Sequence, residues 1–403
     1  MRVVIVGETF PRNTSYLGVM LPRYLARLGV DVHVISLDLA PYWMIPEMRS
    51  HYESLVGKEW LIAGAIHDYD GFKIHILPQD RRMGYMRARG LRKKLRSLRP
   101  DIVYTASAIG WLPLEAAFWK LLLGYKLFTG SHTAGSTFPL YHARGGRWYD
   151  RFLNVITRWI PGRMVSLVTE RCHAPAADCA VIAHKFFGVQ RKKVEVLHLG
   201  VDTEVFRPVD SPDLEAERIA TRKMLGVDVD DLVVVYTGKI TSEKRVDLIP
   251  KAVRKLREKG VSARGLIIGE GPATDDIAPD DSIVRLPFMP YRELAKYYRA
   301  SDIAVWPSTE STSMLDSAAC GIPIIVSDLT GYREHVDGNG LVYNFGNFDS
   351  LVSCLLELVP ESNRRTLGER GAEKMANIFS WESHARVRLE QYRQCLHCRN
   401  QAN

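Results

Sequence analysis

The stretch that decides the fold is Ser301–Asp328, SDIAVWPSTESTSMLDSAACGIPIIVSD. Two apolar runs in it, Ile303–Trp306 and Ile322–Val326, have the length and unbroken hydrophobicity of strands covered on both faces, the mark of a parallel sheet. The segment between them, Ser313–Cys320, reads as a helix stopped by Gly321 with Pro323 just beyond. Thr312 and Ser313 suit the start of that helix, so its first turn is expected to present free backbone N–H groups at the carboxyl end of a strand. Unsatisfied donors at the positive end of a helix favour an anion such as phosphate. Glu310 stands before the helix and Asp316 inside it. Carboxylates beside a phosphate site make sense when the ligand also carries hydroxyls, as a nucleotide-sugar does.

This stretch resembles the acidic signature of the retaining glycosyltransferases of family 4, two-domain GT-B enzymes whose Glu-x7-Glu pattern leads into Ala-Cys-Gly-x-Pro. Pro307-Ser308 and Ser317-Ala-Ala-Cys-Gly-Ile-Pro323 line up with it. Three features depart from it: the spacing is Glu310-x5-Asp316, the second acid is Asp, and Ser311-Thr312-Ser313 replaces the glycine-rich turn. The resemblance extends over nearly the whole chain and is thinnest from Ala40 to Lys126. It implies an α/β fold of two Rossmann-like parallel-sheet domains facing across a cleft. The expected divisions are residues 1–205 for acceptor binding, 206–380 for nucleotide-sugar binding, and 381–403 as a helix crossing back to the first domain.

Further strand-end motifs follow in order. After the strand Leu232–Thr237, Gly238 leads into Lys239 and Lys244, two cations on one loop that could neutralise a diphosphate leaving group. Lys239 stands where the family has Arg, and a lysine offers a point charge in place of a planar fork. Gly269 and Gly271, after the strand at Leu266–Ile268, serve either close backbone approach to a nucleotide or a tight turn. By resemblance, Pro287-Phe288-Met289 reads the base through backbone groups; the N–H groups of Ser311, Thr312 and Ser313 are expected to stabilise the diphosphate, and Met314 to belong to the donor site. The resemblance also assigns sugar hydroxyls to Glu310 and the ribose to Asp316. A capping box, Ser313-x-x-Asp316, is the alternative for the aspartate. Gly331 is either a further donor contact or a turn glycine.

The amino-terminal half opens with a strand at Val3–Val6, a helix over Val19–Leu28 and a strand at Asp31–Leu37. Tyr16, Leu17 and Gly18 resemble the family's acceptor or phosphate loop, in which Gly18 alone remains of a glycine pair. Strands are expected at Phe72–Leu77, Asp101–Thr105, Lys126–Thr129, Cys179–Ala183 and Val194–Leu199. His132, just past one of them, stands where the family carries a histidine that contacts the transferred sugar. Gly200-Val-Asp202 resembles the interdomain hinge and equally fits an ordinary turn.

Composition narrows the class. A chain of 403 residues that is 46% hydrophobic can build two cores, and a net charge of +8 favours anionic partners without naming them. Nine Arg or Lys residues run from Arg81 to Arg99 with no acid among them, a solvated helix face or an anionic-membrane contact. Tyr141–Arg163 alternates arginines with Trp148, Tyr149, Phe152 and Trp159, which suits a lipid headgroup region or a helix packed on the domain. The six cysteines lack a disulfide-framework spacing, so a reducing compartment is expected, and the lone Cys395-x-x-Cys398 reads as a loose tail, with a zinc site the alternative. Asp228-Val-Asp230 precedes a strand and reads as a solvated loop. No G-x-G-x-x-G and no P-loop is present, which counts against dinucleotide and ATP binding. No apolar run is long enough for a signal peptide or a membrane span.

The expectation is a retaining glycosyltransferase, cytoplasmic or peripheral on the cytoplasmic membrane face. It would move a hexose-type sugar from a nucleotide-diphosphate donor to a hydroxyl of a lipid, glycan or small molecule. No cofactor, metal or nucleic-acid partner is expected. The alternatives are a non-catalytic nucleotide-sugar binding protein and a GT-B nucleotide-sugar epimerase.

Overall fold

The structure, a computed structural model, describes residues 1–41, 53–82, 84–142, 148–275, 277 and 280–400. By contacts the chain divides into two units, Met1–Leu199 with Trp381–Asn403, and Gly200–Ser380.

Unit 1 holds β1 Arg2–Val6, β2 Asp31–Leu37, β3 Ile66–Tyr69, β4 Phe72–Leu77, β5 Gln79–Arg82, β6 Tyr85–Ala88, β7 Ile102–Thr105, β8 Lys126–Gly130, β9 Thr169–Ala174 and β10 Val194–Val196. Eight of them form one sheet of order β10-β9-β8-β7-β1-β2-β4-β3, parallel except for β3, and β5 pairs with β6 as a separate hairpin. The helices are α1 Leu17–Arg27, α2 Leu91–Leu98, α3 Trp111–Leu123, α4 Pro139–His142, α5 Trp148–Asn154, α6 Ile160–Val168 and α7 Ala177–Lys185. Val3–Val6 and all of β7 are buried, as strands covered on both faces must be. Leu91 and Leu95, four apart on α2, close the core over Val4, Ile35, Val103 and Leu127.

Two expectations in unit 1 are corrected. Cys179–Ala183 is not a strand but part of α7, where Cys179, Ile182 and Ala183 fall at helical spacing and turn inward together. The strand that fills the place is β9, TERCHA, whose polar residues hide it from a hydrophobicity pattern. The basic run 81–99 is helical only over α2, because its first residues form the β5–β6 hairpin.

Unit 2 holds β11 Leu232–Thr237, β12 Ala263–Ile268, β13 Ile283–Leu286, β14 Ile303–Trp306, β15 Ile324–Ser327 and β16 Gly340–Tyr343 in a six-stranded parallel sheet of order β13-β12-β11-β14-β15-β16. Its helices are α8 Pro212–Met224, α9 Leu248–Glu258, α10 Tyr291–Arg299, α11 Ser313–Ala319, α12 Phe348–Glu357 and α13 Glu361–Asn377. Strand β15 starts at Ile324 and not at Ile322. The unit begins at Gly200, not at the expected residue 206. Val201 N donates to Phe379 O at 2.8 Å, Tyr291 Oη donates to the Asp202 carboxylate at 3.2 Å, and Phe206 packs edge-on to Tyr298, so Gly200–Phe206 folds with unit 2.

The chain ends its described course in α14, Trp381–Asn400, which packs on α1 within unit 1. Cys395 lies half-buried on α14, and the side chain of Cys398 lies outside the described residues. Among the described residues no helix is long and apolar enough to cross a membrane.

Candidate functional site

In unit 2 the chain runs from β11 to β12 and β13 on one side, then returns to lay β14, β15 and β16 on the other. The carboxyl ends of β11 and β14 are therefore a topological switch point, where open α/β sheets leave a crevice. The loop after β11 brings Lys239 and Lys244 there, and the loop after β14 brings Glu310. Lys244 Nζ donates to Thr309 Oγ1 at 2.6 Å and to Glu310 O at 2.9 Å, which ties the two loops together. Tyr236 Oη donates to Lys239 O at 2.6 Å and fixes the start of the lysine loop. The Glu310 carboxylate accepts from Gly331 N at 3.4 Å, drawing in the loop after β15. Burial, then the Lys244 charge, pushes Lys239 down to about 8. Burial also lowers Lys244, against the opposing pull of Glu310 and Glu243.

Gly269 and Gly271 serve backbone packing. A Cβ on Gly269, at φ 146°, would lie 1.9 Å from Gly238 O, and one on Gly271 would lie 2.2 Å from Ile240 O. The loops after β11 and β12 run backbone against backbone there, joined by Gly238 N to Ile268 O and Ile240 N to Glu270 O, both at 3.0 Å. Gly238 itself has φ 140°. Pro287-Phe288-Met289 forms the loop beyond β13, two strands away from β11.

The helix after β14 departs from expectation at its start. Ser313 N donates to Ser311 Oγ at 3.3 Å, Met314 N to Ser311 O at 3.2 Å and Leu315 N to Thr312 O at 3.0 Å. The first-turn donors expected to be free are thus committed locally, because Ser311 folds over the helix end with its hydroxyl and carbonyl. The capping box is not formed either: Thr312 is the cap residue and makes no side-chain cap bond. Asp316 is 4% exposed on the inner side of α11. Burial, reinforced by the charge of Asp202, raises its carboxyl well above the ordinary carboxylate range. Asp202 is itself buried and accepts from Tyr291 Oη. Beside them Tyr298 Oη bonds Thr237 Oγ1 at the end of β11. Nothing in the sequence joins Asp202 to Asp316; only the fold brings them together. Asp228 and Asp230 are exposed in a turn ahead of β11, at the opposite edge of the sheet.

In unit 1 the corresponding edge holds His132 beyond β8. Its side chain is exposed, yet the protein mass around it, then the Arg388 charge, pushes its pKa down to about 4, leaving a neutral imidazole. Behind it Arg388 of α14 is 0% exposed and donates from Nη1 to His384 O at 3.3 Å. Gly130 has no room for a Cβ, which would fall 2.6 Å from Tyr104 Oη and 2.7 Å from His132 Nε2. Tyr16 precedes α1, Leu17 starts it, and a Cβ added at Gly18 would make only an ordinary contact with Pro11, at 3.4 Å. Sequence reasoning missed Glu8, which follows β1 at this sheet's own switch point, between β1 and β7, with its carboxyl raised by burial.

Two parallel-sheet Rossmann-like units in one chain, each with polar groups gathered at its carboxyl edge, define the GT-B class of architecture. The solved structures agree. Sucrose-phosphate synthase from Thermosynechococcus elongatus is similar with a TM-score of 0.70 at 16% identity, covering 99% of this chain and 100% of that one. HepE of Anabaena in complex with UDP-glucose is similar with a TM-score of 0.68 at 12% identity, covering 99% and 100%. Residues 19–205 match the model of Glycosyltransferase Family 4, and residues 231–361 that of Glycosyl transferases group 1. The D-inositol 3-phosphate glycosyltransferases of Mycobacterium bovis and Mycobacterium tuberculosis are 30% identical over 230 residues, 52% of this chain and 45% of theirs. The chain belongs to the family 4, group 1 glycosyltransferases. The match spans less than half the length of these curated relatives.

Proposed function

We propose that the protein transfers a hexose-type sugar, with retention, from a nucleotide-diphosphate donor to a hydroxyl acceptor. The observation that carries this reading is the bonding of Lys244 to the Glu310 loop, with Lys239 on the same loop after β11, at the switch point of unit 2. The acceptor oxygen bonds to the anomeric carbon as the bond from that carbon to the phosphate oxygen breaks. The hydroxyl proton passes to the departing diphosphate on the same face of the sugar. Lys239 and Lys244 stabilise the charge that develops on that leaving group, where preorganised cations contribute most. Because the two lysines supply this charge, the reading calls for no metal or cofactor.

Glu310 holds sugar hydroxyls, and Ser311–Met314 line the diphosphate. Asp316 holds the ribose, with Pro287–Met289 and the Gly238, Gly269 and Gly271 loops framing the base. His132, neutral, meets the transferred sugar, and Tyr16-Leu17-Gly18 lies on the acceptor side. Peripheral contact with an anionic membrane, from the cytoplasmic side, goes with a lipid-linked acceptor. UDP-glucose, the ligand of the similar Anabaena structure, makes UDP-sugars the first donors to try.

The test is a thermal-shift screen against UDP-, GDP- and ADP-sugars and the free nucleotides, followed by turnover with Glu310→Gln. Selective stabilisation by one nucleotide class and a strong loss of turnover in the folded variant are expected. No shift with any donor sinks the reading, and full activity in Glu310→Gln removes that residue from it.

A further inference from the structure

We propose that α2, α3, α5 and α6 of unit 1 form a bilayer-docking face. In this reading apolar side chains of α3, α5 and α6 enter the lipid while the basic side of α2 meets anionic headgroups. The lipid-linked acceptor it serves rests on the glycosyl-transfer reading; the docking itself is tested separately.

Helix α3 is apolar on both sides. Leu112, Ala116 and Ala117 turn into the core, whereas Phe118, Leu121 at 69% and Leu122 at 65% exposure turn outward. Helix α6 lies along α3 and repeats the pattern, with Val165 buried and Met164 and Leu167 exposed. A π-helical turn, Val155–Trp159, joins α6 to α5 and leaves Val155 and Ile156 outward. On α5, Trp148 is 78% exposed, with Phe152 and Leu153 beside it in the same state. Single surface leucines need no explanation, but exposed large apolar side chains recurring along three neighbouring helices mark a contact surface.

The charge around the strip says what covers it. Helix α2 packs against α3, and the Arg92 guanidinium lies 4.7 Å over the Trp119 ring, so the basic helix is continuous with the apolar strip. Arg92, Lys93 and Arg96 are exposed along it, and Arg151 and Arg163 are exposed on the strip itself. A second copy related by a two-fold axis would bring the same arginines into the same rim, whereas anionic headgroups complement them. An apolar face with a cationic border on helices too short to span is the pattern of a segment lying in the interface plane. The alternation in Tyr141–Arg163 pointed at arginines, two of which, Arg144 and Arg147, lie outside the described residues. The structure adds α3, whose outward Phe118–Leu122 no charge pattern singled out.

Flotation of the full chain with phosphatidylcholine vesicles, with and without phosphatidylglycerol, tests the face. The protein is expected to float with the anionic vesicles, and the double variant L121E/L122E to lose binding on the order of tenfold or more. The triple variant R92Q/K93Q/R96Q is expected to weaken binding and flatten its salt dependence. Brominated lipid should quench tryptophan fluorescence less in W148F than in the parent. All three variants change exposed residues and should keep the parent melting temperature.

Equal flotation of the parent and L121E/L122E overturns the proposal, as does no flotation with either vesicle. A dimer by light scattering that L121E/L122E converts to monomer, with vesicle binding unaltered, also overturns it and makes the face an interface between copies. A nucleotide-sugar thermal shift on the same samples keeps the two readings apart. Flotation without a shift retains this face and removes the transferase reading; a shift without flotation does the reverse.

Discussion

The carboxyl edges of the two sheets are held together in different ways. In unit 2 the loops after β11 and β12 are locked by main chain, with Gly238 N on Ile268 O, Ile240 N on Glu270 O and Ala273 N on Ile240 O, all at 3.0 Å. In unit 1 the edge around His132 rests on buried side chains from distant segments. Tyr104 comes from β7, His173 from β9 with its Nε2 2.8 Å from Gln391 Oε1, and Arg388 from α14. A main-chain lock demands glycine and writes a short motif into the sequence. A side-chain lock leaves residues scattered over the chain with no motif to announce them.

The sharpest way to break this contrast is Gly269→Ala. With a Cβ 1.9 Å from Gly238 O and φ at 146°, the variant should lose on the order of 4 kcal/mol or fail to fold. Gly260→Ala, at φ 84° with open space around it, should cost only about 1 kcal/mol. Similar denaturation midpoints for the two would mean that the loops are not locked as described. Next in size, Lys244→Met removes the bonds to Thr309 and Glu310 O and should lower turnover on the order of 100-fold, about 3 kcal/mol. Its melting temperature should change little. A variant that binds donor and turns over normally would take Lys244 out of the proposed chemistry.

Acid should separate the units. His33 Nδ1 and His75 Nε2 lie 2.9 Å apart in β2 and β4 of unit 1. Burial, then the Lys94 charge, pushes His75 down to about 4, and His33 is lowered as well, chiefly by burial. Folding thus favours the neutral form of both, whose ordinary value is 6.5. The unfolded chain therefore binds the extra protons as pH falls. Stability from His75 is present above about pH 6.5 and is lost towards pH 4, on the order of 3 kcal/mol. Hydrogen exchange should show β2 and β4 opening before β11 and β12 on acidification, and His75→Phe should delay it. Opening in the reverse order would end the contrast.

The smallest effect concerns Lys239, charged below about pH 8 and neutral above it. Donor affinity should fall as pH rises from 7 to 9, by up to about tenfold, and Lys239→Arg should remove the slope. A parent protein with no such slope by calorimetry would leave Lys239 outside the diphosphate site.

Unit 2 was legible almost strand by strand, because β11, β14 and the Leu266–Ile268 end of β12 are apolar runs that end in their own motifs. The polar β9 was not, and Cys179–Ala183 took its place in the reading because a short apolar run fits a strand as well as a buried helix turn. Of the site, Lys239, Lys244 and Glu310 were read from strand-end position. The inward turn of Asp316 towards Asp202 was not, since it depends on which face of a seven-residue helix meets a loop far back in sequence. The occupied donors of Ser313 and Met314 were also invisible, because residue preference at a helix start says nothing about where a neighbouring hydroxyl will fold.

Helix α14 has a consequence for how the protein is made. Gly200–Ser380 must all be synthesised between Leu199 and Trp381, a delay on the order of ten seconds or more at about 5–20 residues per second. Throughout that interval the nascent amino-terminal unit lacks Arg388, Gln391 and Tyr392, which complete its interior around His173 and Phe128. Unit 2, contiguous in sequence, needs no such late arrival. The half that begins first on the ribosome is the half that matures last.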